Sequence, residues 1–276
     1  MQIEPLPQGF GAVVTDLDVR KDDAAEISAL QETFIDRHLL VFRDCGLLTP
    51  GQQAEIVGWF GKSGADGGSY GEIATTMDNA MDRGRAILPF HCDITYFPYP
   101  LEGISLHTIE LPQVETSTTY VSNAVAWDTL PAALQDDLRR RKARHFYEDD
   151  GKMGTEITLF EHWHPVCMPH YRTGRPLLFV TEHHVEQIEG YGPEESARLL
   201  KQLFAHLYAP ERRYEHIWRK GDLVIWDNYA VQHARTREAH PSEGRRVLQR
   251  VSFGKHGFAE QFAVLRKEAA KGIKAI

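Results

Sequence analysis

Leu223-Val224-Ile225-Trp226 is a short apolar run that breaks at once into Asp227-Asn228-Tyr229-Ala230-Val231-Gln232-His233. Four β-branched, aliphatic and aromatic residues bounded by polar ones predict a buried strand, because a helix needs a longer periodic stretch. Runs of the same kind recur at 104–109, 118–121, 177–181 and 247–253, and helical spacing interrupts them at 131–141 and 193–208. Many short strands with long excursions predict an α+β chain with a sandwich or jelly-roll core decorated by helices. Upstream, residues 11–19 and 39–42 read as strands and residues 22–37 and 52–60 as helices. Thr49 suits the N-cap of the second helix and Pro50 its first turn. Residues 64–86, rich in Gly, Asp and Ser, predict a mobile loop. No repeat, low-complexity tract or linker divides the chain, so residues 1–276 are expected to form one domain.

Composition narrows the class. With 42% hydrophobic and 25% charged residues, the chain can bury a sizeable core. A net charge of −8 disfavours nucleic acid and anionic membranes as partners. The basic runs at 139–142 and 267–274 read as solvated helix faces. No apolar run reaches the roughly 18 residues that span a bilayer, and the start lacks a basic-then-apolar secretory signature. Cys45, Cys92 and Cys167, odd in number and scattered, predict free thiols in a cytoplasmic protein.

The chemistry centres on Phe90-His91-Cys92-Asp93 and on His233. In an extended strand, positions i and i+2 share a face, so the His91 imidazole and Asp93 carboxylate converge while Cys92 points away. Two imidazoles and one carboxylate on one side of an octahedral ion suit Fe(II), with positions left open for a co-substrate and oxygen. Downstream lies Gly244-Arg245-Arg246-Val247-Leu248-Gln249-Arg250, in which Arg246 and Arg250 share a strand face. Guanidinium groups turned into a core need anions, and a carboxylate pairs with one bidentately. A 2-oxo acid chelating the metal, its distal carboxylate on Arg246, satisfies both requirements.

These segments are similar to the taurine dioxygenase (TauD/TfdA) family of Fe(II)- and 2-oxoglutarate-dependent oxygenases. The resemblance covers nearly the whole chain. It runs through Gly11-Ala12-Val13-Val14-Thr15, Leu40-Val41-Phe42-Arg43-Asp44, His164-Pro165-Val166, Thr173-Gly174-Arg175, Leu178-Phe179-Val180 and the block from Gly221 to Arg250. It implies a double-stranded β-helix core with flanking helices and long inserts. It further implies that His91, Asp93 and His233 bind iron and that Arg246 holds the distal carboxylate of 2-oxoglutarate. Relatives use a threonine after a Gly-Gly-Asp turn for the same co-substrate. Here Glu115-Thr116-Ser117-Thr118 replaces that turn, making Thr119 the best match and Thr118 the alternative. Arg250 is expected at the substrate, or in an ion pair with a core carboxylate. Tyr96 and Phe97, just after the metal motif, are expected to border the substrate.

The implied activity consumes O2 and 2-oxoglutarate, releases succinate and CO2, and oxidises a C–H bond of a small organic molecule. Hydroxylation is the leading outcome, with desaturation or rearrangement as same-platform alternatives. A carboxylate-bearing substrate with an apolar or aromatic body is expected, and Ile87, where the taurine enzyme has a polar contact, argues against taurine. Asp93 argues against a halogenase. A zinc hydrolase and a non-catalytic metal-binding sensor are the rivals from other classes, and a homo-oligomer stays open. His162-Trp163-His164 repeats the i, i+2 spacing without a matching carboxylate and is read as packing. His183 and His184 are expected on opposite faces of a strand. Gly61-Lys62-Ser63 is no phosphate loop, because Ile56 stands where the first glycine belongs.

Overall fold

Leu39 and Val41 face one side of their strand and Leu40 and Phe42 the other, and all four are buried. A strand buried on both faces must lie inside a layered molecule. The computed structural model describes residues 1–21, 23–64, 74–81, 85–149, 159–257 and 260–264. Its strands are β1 (Gln2–Pro5), β2 (Ala12–Thr15), β3 (Leu39–Phe42), β4 (Thr75–Asp78), β5 (Leu88–His91), β6 (Gly103–Glu110), β7 (Ser117–Ser122) and β8 (Lys142–Glu148). They continue as β9 (Leu159–Pro165), β10 (Cys167–Pro169), β11 (Pro176–Leu178), β12 (Val185–Ile188), β13 (Tyr214–Ile217), β14 (Leu223–Asp227), β15 (Val231–Arg235) and β16 (Val247–Phe253). The helices are α1 (Ala24–Arg37), α2 (Pro50–Gly58), α3 (Asn123–Asp128), α4 (Ala132–Leu138) and α5 (Pro193–Leu207).

Seven strands form a sheet in the order β1-β2-β3-β14-β6-β16-β4, and four form a second in the order β13-β7-β15-β5. A three-stranded sheet, β12-β8-β9, and the ribbon β10-β11 complete the β structure. The two larger sheets face each other across Val41, Leu106, Val224, Trp226 and Leu248 from one and Tyr120 and Val231 from the other. Trp226 meets the Tyr120 ring edge-on at 5.4 Å. On the outer face of the large sheet, Leu40, Phe42, Leu223, Ile225, Val251 and Phe253 pack against Leu30 and Phe34 of α1 and Ile56 and Val57 of α2. On the outer face of the small sheet, Phe90, Val121 and Ala234 pack with Leu200, Leu203 and Leu207 of α5. The order of layers is therefore helices, sheet, sheet, helix, and each fully buried large apolar side chain contributes about 1.5–3 kcal/mol.

Local signals place the helices. Asp23 caps α1 by accepting from the backbone N–H groups of Ala25 and Glu26, and the Thr49 hydroxyl and Gln52 form a reciprocal capping box at α2. Gly103 on β6 stands opposite Phe253 of β16, and a Cβ there would lie 2.0 Å from the ring, so only glycine lets these strands pair.

Several expectations change. Within 64–86, Thr75–Asp78 is a strand paired with Val247–Arg250, while 65–73 and 82–84 lie outside the described residues. The run at 177–181 is strand only over Pro176–Leu178. Strands β8 and β9 and helix α3, capped by Ser122, were not apparent from periodicity. Of the basic runs, Arg141 pairs with Asp137 and lies over Tyr191, and 267–274 falls outside the described residues. All three cysteines are free, and no helix among the described residues is long and apolar enough to cross a membrane.

Candidate metal centre

Antiparallel pairing of β5 with β15 sets His91 directly opposite His233. Directly opposed strand residues hold their Cβ atoms about 4.5–5.5 Å apart, and the two imidazole rings sit 4.2 Å apart between centroids. The Asp93 Oδ1 atom lies 3.3 Å from His91 Nε2 and 3.6 Å from His233 Nε2. Donors about 2.1 Å from one ion lie at most roughly 4.2 Å apart, so one cation can touch all three. Among the described residues this is the one group of His, Cys, Asp or Glu side chains gathered closely enough to hold a metal. His162 and His164 are not in it; His164 Nε2 instead hydrogen-bonds the Thr95 and Phe97 carbonyl oxygens.

The geometry of Asp93 departs from simple strand alternation. β5 ends at His91, and Asp93 opens a turn in which Ile94 has φ 52°. A β-branched residue in the left-handed region is strained, at a cost of about 1–3 kcal/mol. Asn228 holds that turn in place: its Oδ1 accepts from Asp93 N at 2.8 Å and its Nδ2 donates to the Asp93 carbonyl at 3.0 Å. Asn228 is itself set by Asp227, which accepts from the N–H groups of Tyr229 and Ala230 and contacts His170 Nε2 at 2.9 Å. Sequence reasoning did not single out Asn228, although its place between the strand and His233 was visible.

The donors are chemically ready for a cation. His91 Nδ1 hydrogen-bonds the Pro89 carbonyl at 2.8 Å, which puts the proton there and leaves the Nε2 lone pair toward the site. Burial, with repulsion from His91, pushes His233 down to about 3, so it stays neutral. Burial opposes ionisation of Asp93, but the neighbouring His91 and His233 side chains hold its carboxyl below the usual range. Its second oxygen, Oδ2, accepts from Arg250 Nη2 at 2.7 Å. Arg250 therefore steadies the carboxylate of the triad, as the ion-pair option has it, and it also lines the adjoining cavity. Cys92 is buried with its thiol near the Val231 carbonyl, away from the three donors.

Beside these donors opens a cavity of about 270 Å³, lined by Met77, Leu88, Leu106, Trp226 and Leu248 and by the polar residues Thr118, Arg235, Arg246 and Arg250. Arg246 is 3% exposed, and its guanidinium has no acceptor among the described residues. Burial, and then repulsion from Arg235, pushes it down to about 10, still protonated at neutral pH. β7 pairs with β15 so that Tyr120 faces His233 and Thr119 faces Ala234. Thr119 thus turns to the outer, α5-covered face, and Thr118 lines the cavity. The Thr119 expectation is corrected to Thr118, because one residue along a strand reverses the face.

Two further expectations fail. Phe97 has no exposed surface and packs against Phe160 and Phe262 in the core, away from the cavity. Tyr96 is buried, stacked on Tyr147 at 5.0 Å and edge-on to His184 at 5.3 Å, outside the cavity lining. His183 and His184 sit in a turn before β12, not in a strand, and both rings approach His91, at 5.7 and 6.2 Å.

Comparison with known proteins agrees with this geometry. The family model described as taurine catabolism dioxygenase TauD, TfdA family matches residues 2–252. An (S)-phenoxypropionate/alpha-ketoglutarate-dioxygenase of Sphingobium herbicidovorans is 29% identical over 256 residues, covering 85% of this chain and 88% of that one. An alpha-ketoglutarate-dependent 2,4-dichlorophenoxyacetate dioxygenase of Cupriavidus pinatubonensis is 26% identical, covering 90% of this chain and 96% of that one. The crystal structure of a taurine dioxygenase from Burkholderia xenovorans superposes with a TM-score of 0.78 at 25% identity, covering 91% and 90% of the two chains.

Proposed function

Because the chain belongs to the TauD/TfdA family of taurine catabolism dioxygenases, we propose that it is an Fe(II)- and 2-oxoglutarate-dependent dioxygenase acting on a small organic molecule. Its two facing sheets are read as a double-stranded β-helix, and residues 1–276 as one domain around it. His91 Nε2, Asp93 Oδ1 and His233 Nε2 are the iron ligands, a one-sided set that leaves positions open. The observation that carries the reading is the buried Arg246 guanidinium, without an acceptor among the described residues, in the same cavity as those three donors. A cation so placed calls for a carboxylate, and the distal end of 2-oxoglutarate supplies one.

Bound iron, with O2 and 2-oxoglutarate, would supply the oxidising chemistry that releases succinate and CO2 and oxidises a substrate C–H bond. The chain's own work is positional. Arg250 and Asn228 fix the Asp93 carboxylate, Pro89 fixes the His91 tautomer, and Thr118 and Arg246 orient the co-substrate. Leu106, Trp226 and Leu248 keep water from its methylene groups. Hydroxylation of a carboxylate-bearing molecule with an apolar or aromatic body is the favoured reaction, supported by the phenoxy acids named for two relatives and by apolar Met77 and Leu88 in the cavity wall.

The test is 2-oxoglutarate decarboxylation with a panel of phenoxy and aliphatic acids, with and without Fe(II) and O2. His91→Ala is expected to abolish succinate formation. Arg246→Gln removes a charged hydrogen-bonded pair worth about 1.5–3 kcal/mol, so co-substrate affinity should fall roughly 10- to 100-fold. Turnover with zinc under anaerobic conditions would instead make the site a hydrolase, and metal binding with no turnover would make it a sensor.

A further inference from the structure

We propose that His170 is a positioning residue for the metal-binding carboxylate of Asp93, which it holds in place through Asp227 and Asn228. The inference rests on the metal-centre reading above and extends it to a residue that touches none of the three ligands.

His170 opens the turn of the β10–β11 ribbon. Its backbone N–H donates to the Arg175 carbonyl at 2.9 Å, and its carbonyl accepts from Gly174 N at 2.8 Å. Gly174 takes φ 70°, a left-handed position that suits glycine. Inside that turn the Thr173 backbone N–H donates to His170 Nδ1 at 3.3 Å, and the Thr173 hydroxyl lies 3.0 Å from the same atom. A backbone amide can only donate, so Nδ1 is the acceptor and the ring proton sits on Nε2. Nε2 lies 2.9 Å from Asp227 Oδ2, and both side chains are buried. The His38 ring meets the imidazole edge-on at 5.2 Å and limits its rotation.

Asp227 passes that constraint on. Its Oδ1 accepts from Tyr229 N at 2.9 Å and Ala230 N at 3.0 Å, so the backbone winds around the carboxylate and carries Asn228 with it. Those two bonds lie within one short segment and cannot place it against the rest of the molecule. The backbone N–H groups of Asp227 and Asn228, bonded to the His38 and Glu102 carbonyls, hold the chain. His170 holds the carboxylate itself, through a charge-assisted bond about twice as strong as a neutral one. At the far end, Asn228 grips both the N–H and the carbonyl of Asp93, beside the left-handed Ile94. A strained turn relaxes as soon as its clamp loosens, so an error in the Asn228 position moves the Asp93 carboxylate off the ion.

The experiment is calorimetric titration of the metal-free full chain with Mn(II), alongside urea unfolding of the same samples. Wild type is compared with His170→Leu, His170→Gln, Asp227→Asn, His91→Ala and Leu30→Ala, the last of which opens a cavity in the outer helical layer. His170→Leu should weaken Mn(II) about tenfold, the lower end of the range for groups that orient metal ligands. His170→Gln, whose amide N–H reaches toward the same carboxylate, should recover part of the loss. Leu30→Ala should lower the urea midpoint and leave Mn(II) affinity unchanged. Should His170→Leu fail to fold, Asp227→Asn must show the loss, because either orientation of its amide sets one donor against another. Unchanged Mn(II) affinity in these variants, equal losses in the glutamine and leucine variants, or a matching loss in Leu30→Ala makes His170 a residue of stability alone and overturns the proposal. A loss in His91→Ala keeps the metal-centre reading intact in that case, whereas Mn(II) binding indifferent to His91→Ala overturns that reading itself.

Discussion

At the scale of single residues, Thr118 Oγ1 accepts the indole N–H of Trp218 at 3.0 Å. Its own hydroxyl proton is then free to be donated, and the side chain lines the cavity that Arg246 also lines. Thr118→Val keeps the shape but removes that donor and strands a buried indole N–H. 2-Oxoglutarate affinity should fall about 5- to 10-fold and stability by about 1–3 kcal/mol, with Thr118→Ser restoring both. Thr119→Val, the same change one residue on, should leave co-substrate affinity alone; a calorimetric titration in which Thr119→Val carries the loss would reverse the assignment. Sequence alone left this choice open, because the altered turn at 115–118 hides a one-residue slip and each slip flips the face. His91, Asp93, His233 and Arg246 were legible, since few residue types do their chemistry and their spacing repeats a family pattern. Phe97 was not: whether an aromatic after the motif meets ligand or core depends on the turn at Ile94, whose φ no pattern announces.

Among elements, β3 and β14 were predictable because both faces are covered, which makes every residue from Leu223 to Trp226 apolar. β8, reading Lys-Ala-Arg-His-Phe-Tyr-Glu, mixes charges with aromatics, and only its pairing with β9 and β12 makes it a strand. The cap of α2, Thr49, was visible for the opposite reason: a cap is a local hydrogen bond and needs no partner far away. Between these extremes lies the contact of β6 with β16, where Gly103 admits the Phe253 ring. Gly103→Ala puts a methyl group into that ring, so Phe253 must leave its place between β16 and the α1–α2 layer. Urea unfolding should show a loss of about 1–3 kcal/mol, the range for overpacking a well-filled core. A second change, Phe253→Leu, should recover part of it by opening space. Additive losses in the double variant would mean that the two side chains do not compete for one volume.

Taken whole, the molecule buries many histidines beyond the two at the metal centre, and this sets its response to acid. Burial, together with repulsion from His162, pushes His164 down to about 3, and burial pushes His38 down to about 4. Burial likewise drives His145 and His184 well below the usual range. The unfolded chain titrates these groups near 6.5. Above that value neither state is protonated and their contribution to stability is complete. As pH falls below 6.5 the unfolded state takes up protons that the folded state refuses, so stability drains away until the folded values are reached. At pH 4.5 His164 and His38 would each weaken the fold by about 2–3 kcal/mol, so the two together approach the whole stability of an ordinary domain. Asp93 and Asp227 are held below the usual carboxyl range and give up their contribution mostly below about pH 4, so the window from 6.5 to 4.5 belongs to the histidines. The metal-free protein should accordingly show urea midpoints that fall steadily across that window. His164→Gln, which can donate an amide N–H to the Thr95 and Phe97 carbonyls without titrating, should flatten the slope by about one proton. Parallel slopes in wild type and variant would mean that His164 is already charged in the folded chain, and that the pocket around it is wetter than its packing implies.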